Sequence, residues 1–217
     1  MLVDRRSWLK GSLLAGAAPV AKPALGIPGP FRGRVIAVRH PGSIVSGRYQ
    51  REPVRAMIQR GMMELTGAPS ATEAWRFFFQ PGDVVGIKLN PVGLPHHVST
   101  AEVFQEIVSG LTDAGVRLHD IVAFERYREL FLMAGFDKWL PEGVRWSSAT
   151  EKATEYQLDM DGYDRDQYVE LPLVPSKADP RDPHVRRSYV AKFLTKEVNK
   201  IVNLGVLKHH QSAGVTI

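Results

Sequence analysis

The chain has 217 residues, enough for one domain with a core of its own, and 44% hydrophobic against 24% charged residues excludes a disordered chain. Its formal charge of +5 owes something to Arg5, Arg6, Lys10 and Lys22, and no basic run exceeds Arg186-Arg187, so no nucleic-acid partner is expected. Cysteine is absent, which excludes disulfides, thiolate zinc, thiol catalysis, lipoprotein acylation and any cysteine-ligated iron–sulfur cluster within this chain.

Residues 1–26 are predicted to be a signal segment. The run Asp4-Arg5-Arg6-Ser7-Trp8-Leu9-Lys10 resembles the twin-arginine consensus. The Gly/Ala-rich stretch from Gly11 to Ala21 is too short to cross a bilayer core of about 30 Å, so no stable membrane anchor is expected. This resemblance implies the twin-arginine translocase as a partner, a periplasmic destination and a passenger that crosses the membrane folded. Such passengers often carry a cofactor, and here a metal ion is one candidate.

Residues 27–217 are predicted to form an α/β domain. After a Pro/Gly linker, Arg34 to Arg39 reads as a short strand with Val35, Ile36 and Val38. Val54, Met57, Ile58, Gly61, Met62 and Leu65 then mark one face of a helix ending near Gly67. Thr72 to Gln80 reads as a second helix, stopped by Pro81-Gly82, with Trp75, Phe77, Phe78 and Phe79 as its buried face. Asp83 to Leu89 is apolar on both faces, as in a central strand covered on two sides.

A loop from Asn90 to Val98 follows, and Ser99 with Glu102 reads as a capping box. The helix behind it carries Val103, Phe104, Ile107, Val108 and Leu111, and Gly115 stops it. With a strand at Ile121 to Glu125, this makes a βαβ unit and a parallel pair. Arg128 to Ala134 is predicted as a short helix and Val144 to Ser147 as a strand start. Tyr156, Leu158 and Met160 alternate before a turn at Asp161-Gly162, with Tyr168 to Val174 as the partner strand of a hairpin insertion. Ser176 to Arg187 reads as a loop, Ser188 to Glu197 stays ambiguous, and Lys200 to Leu207 reads as a last buried strand. The apolar Gly214-Val215-Thr216-Ile217 suggests an incomplete domain whose reading frame continues.

Several runs resemble the family called domain of unknown function 362. They are Asp83 to Asn90, His97 to Thr100, Glu125-Arg126 and, most specifically, Asn203 to Thr216. His209 stands where members commonly carry an aspartate. The resemblance implies a longer α/β architecture and no agreed activity.

Ligands of open α/β sheets bind outside the carboxyl ends of the strands. Three predicted strand ends carry polar groups, and if the strands are parallel neighbours these groups share one crevice. Lys88, Asn90, Arg126 and Lys208 are then candidates for holding an anion, such as a phosphate or carboxylate, near the helix start at Ser99. His97, Glu125 and His210 are candidates for a metal ion. Two functions stay open: a metal- or cofactor-dependent redox or isomerase-like enzyme, and a non-catalytic ligand-binding or cofactor-assembly protein of the cell envelope. No nucleophile elbow, dinucleotide-binding turn or phosphate loop is present.

Overall fold

The computed structural model describes residues 31–153, 157, 160–173, 179, 181–211 and 213–216. The predicted signal segment, Arg5 and Arg6 included, lies outside these residues. The chain divides at residue 34 into two units, and everything below concerns the second, Val35–Ile217.

Arg34 to Arg39 is not a strand. The segment has no ladder, and Val35 is 87% exposed: three β-branched residues without a neighbouring strand cannot form one. A minimal hairpin of β1 (Ile44–Val45) and β2 (Arg48–Tyr49) follows. Helix α1 (Arg51–Thr66) then ends where the sequence predicts, at Gly67, whose left-handed φ of 76° lets its amide reach the Met63 carbonyl. Helix α2 (Ala71–Arg76) is capped by Ser70 and buries Trp75. Phe79 is also buried, but Phe77 points out at 54% exposure because the helix has ended before it.

The architecture is α/β, built on a four-stranded parallel sheet in the order β5-β4-β3-β8. Its members are β3 (Val85–Lys88), β4 (Ile121–Tyr127), β5 (Arg145–Thr150) and β8 (Lys200–Asn203). Helix α3 (Ala101–Asp113) joins β3 to β4, giving the predicted βαβ unit. Val85, Ile87, Ile121 and Ala123 form the main core with Phe104 and Leu111 of α3 and with Trp75. Helix α4 (Arg128–Met133) adds Phe131 to the same core.

The opposite face of the sheet is covered differently. Strand β6 (Tyr163–Glu170) pairs antiparallel with β7 (Arg187–Ala191), which is preceded by the single turn α5 (Pro183–Arg186) and followed by α6 (Lys192–Lys196). From α6, Phe193 meets Phe124 of β4 edge-on, with ring centroids 5.2 Å apart. The predicted pairing is therefore corrected: the segment after Asp161-Gly162 finds its partner beyond the loop, at Arg187–Ala191. Tyr156 and Leu158 lie outside the described residues. The prediction of a buried strand at Lys200 to Leu207 is also corrected, since β8 stops at Asn203 and is an edge strand with Ile201 57% exposed. A last hairpin pairs β9 (Lys208–His210) with β10 (Gly214–Thr216). No helix among the described residues is long and apolar enough to cross a membrane.

Candidate functional site

Strand order decides where a ligand could sit. From β3 the chain moves through α3 to β4 and on to β5 on one side, and later returns to place β8 on the other side of β3. The two directions part between β3 and β8, and at such a switch point the loops diverge and leave a crevice at the carboxyl ends of the strands. A cleft of about 580 Å³ lies there. Its walls include Lys88 and Asn90 from the end of β3, Ile201 and Asn203 from β8, and Lys208 and His210 from β9.

Ser99 ties together the segments that leave β3 and β8. The sequence predicts this residue as a helix cap, but the cap position falls to Thr100, whose side chain makes no capping bond. The Ser99 hydroxyl is recruited elsewhere: it accepts from the Asn90 amide at 2.7 Å and donates to the Leu204 carbonyl at 2.8 Å. A buried hydroxyl that bridges two strand exits is fully satisfied, so it gains nothing by turning back to its own helix. The Ser99 amide also donates to the Asn90 carbonyl at 3.0 Å. The loop after β3 is thereby pinned to the segment after β8.

Two lysines line the cleft. Lys88 donates to Glu125 and to the Leu89 carbonyl. Glu125 is nearly enclosed, its side chain 7% exposed against 34% for Lys88, so the pair satisfies a buried carboxylate. Lys208 donates to Asn90 Oδ1 at 2.9 Å and to the Val92 carbonyl. Both acceptors are neutral, and among the described residues Lys208 belongs to no ion pair. Burial, and then the charge of Lys88, push the Lys208 ammonium below the ordinary lysine pKa.

The structure divides the other candidates. Arg126 does not line the cleft. Its Nε donates to the Tyr163 hydroxyl at 2.9 Å, and its guanidinium lies 4.8 Å from the centre of the Tyr127 ring. His97 lines a neighbouring hollow of about 510 Å³ with Leu207, His209 and His210, to which Glu125 does not contribute. His210 borders both the cleft and this hollow, and its Nδ1 accepts from the Ala213 amide at 3.1 Å. Among the described residues no group of three His, Cys, Asp or Glu could hold a metal ion, so His97, Glu125 and His210 are not assembled as a ligand set. The chain matches no family model, no curated protein and no solved structure.

Sequence reasoning missed the second cavity near the cleft, of about 250 Å³, between the sheet and the β6–β7 cover. Phe124, Tyr163, Tyr189 and Phe193 line it, together with Lys88 and Arg126. Finding it required the pairing of β6 with β7, which no local signal announces.

Proposed function

We propose that this chain is a binding domain for a small carboxylate, held in the cleft between β3 and β8 by Lys208, Lys88 and Asn90. The observation that supports the reading is a charge imbalance at a topological switch point. Two ammonium groups line or border the cleft, while one carboxylate, Glu125, answers them. A monoanion placed near Lys208 would restore the balance and give an ammonium that now meets only neutral acceptors an oppositely charged partner. Resemblance to the domain of unknown function 362 family and export through the twin-arginine route to the periplasm belong to the same proposal. The runs carrying the family resemblance include Asp83 to Asn90 and Asn203 to Thr216, which supply walls of this cleft.

A metal-dependent reaction has less support, because His97 and Glu125 line different hollows. The test is titration calorimetry of the chain with sodium acetate, in the wild type and in Lys208→Met. Acetate should bind the wild type and lose at least about tenfold in affinity when the ammonium is removed, as expected for a charged hydrogen bond of about 1.5–3 kcal/mol. Equal affinity in the two proteins would place the anion elsewhere and sink the reading.

A further inference from the structure

The cleft and the cavity beneath β6 and β7 are neighbours. Lys88 and Phe124 line both. A ligand whose charged end sits by Lys208 and Lys88 would have to extend past Lys88 and Phe124 to place its other end in the cavity, and the chemistry of that cavity specifies what this end should be.

We propose that the ligand is an aromatic carboxylic acid of one ring, with its carboxylate in the cleft and its ring in the cavity between Phe124, Tyr163 and Phe193. This rests on the carboxylate reading of the cleft and names the class of molecule that the site takes. Size is the first argument. A cavity of about 150 Å³ in a protein interior holds a benzene ring, so about 250 Å³ accommodates one ring and a short linker but no large fused system.

The second argument is the state of the polar groups in the walls. Gln157 donates through Nε2 to the Tyr189 carbonyl at 3.0 Å and accepts through Oε1 from the Tyr189 amide at 2.6 Å. Arg126 Nε is occupied by the Tyr163 hydroxyl. The Gln157 amide and Arg126 Nε are thus already engaged, and Phe124, Tyr163, Val190 and Phe193 make much of the wall apolar or aromatic, so an apolar ligand end gains by burial there. The third argument separates aromatic from aliphatic. The Arg126 guanidinium lies 5.8 Å from the centre of the Tyr163 ring at the cavity wall, and a cation held among ring faces attracts a further ring electrostatically.

The experiment compares acetate, phenylacetate and cyclohexylacetate as calorimetric probes of the whole chain. Phenylacetate should bind at least about tenfold more tightly than acetate, a difference of about 1.4 kcal/mol, and more tightly than cyclohexylacetate. Ala191, half-buried, also lines the cavity. Ala191→Phe, checked for folding by circular dichroism, should bring the phenylacetate-to-acetate ratio towards one. The wild-type ratio decides the matter even if that variant does not fold. A ratio near one, with acetate binding still dependent on Lys208, overturns the ring assignment and keeps the carboxylate reading. Cyclohexylacetate binding as tightly as phenylacetate overturns the aromatic assignment. No binding of any of the three overturns both readings.

Discussion

Lys208 is a cation whose surroundings disfavour its charge, and this makes its behaviour with pH informative. Burial and Lys88 lower its pKa in the folded chain. Before any ligand binds, the charged form therefore costs stability below the folded pKa, and that cost is relieved as pH rises towards the unfolded value. A bound carboxylate acts in the opposite direction, because it favours the ammonium and raises the pKa again. Affinity for acetate should thus be constant below the pKa of the free protein and fall as pH rises through it, approaching tenfold per unit. The fall should begin below the ordinary lysine range, and calorimetry at a series of alkaline pH values reads it directly. A flat profile would mean that Lys208 is not the anchor. The residue types at this site were legible in the sequence, since Lys88, Asn90 and Lys208 were all expected at strand ends. Their individual partners were not. Ser99 has the spacing of a capping residue, yet its hydroxyl bonds across 105 positions in the chain to Leu204, a contact that no local window contains.

At the scale of elements, what could be read was whatever local periodicity determines. The apolar run of β3 and the stripe of α3 imply burial whatever surrounds them, and both are buried as expected. Partner choice is different, because β6 could satisfy its backbone against any extended segment of suitable length, and only the tertiary placement of β7 selects one. Helix packing carries a similar hidden constraint at Gly110. A methyl group there would lie 2.1 Å from the Trp75 indole, so α3 approaches α2 this closely only because the position has no side chain. In an isolated helix Gly→Ala is stabilising by about 1 kcal/mol. Here overpacking should reverse the sign. Gly110→Ala is expected to destabilise the fold by about 1–3 kcal/mol, seen as a lower urea midpoint. A higher midpoint would show that Trp75 can move aside without cost.

At the scale of the whole molecule, the crevice follows from strand order, which the sequence implied in part. The βαβ unit made β3 and β4 parallel neighbours, but nothing local says that β8 returns to the far side of β3. That return creates the switch point, and it also means that the cleft draws its walls from residues more than 100 positions apart, as the bond from Lys208 to Asn90 shows. A ligand contacting such walls binds only the folded arrangement, because the unfolded chain does not keep these groups together. Its binding energy is then added to folding stability by mass action, about 2.7 kcal/mol at a ligand concentration one hundred times the dissociation constant. For a chain of this length 1 kcal/mol corresponds to about 2–4 °C in the unfolding midpoint, so phenylacetate at that concentration should raise Tm by about 5–10 °C. Scanning fluorimetry with and without the acid measures the shift, and Lys208→Met, at least about tenfold weaker in binding, should cut it by about half or more at the same concentration. A shift that survives the substitution undiminished would mean that the acid stabilises the fold from a surface other than the one between β3 and β8, because removing the cation there would then have left its binding energy intact.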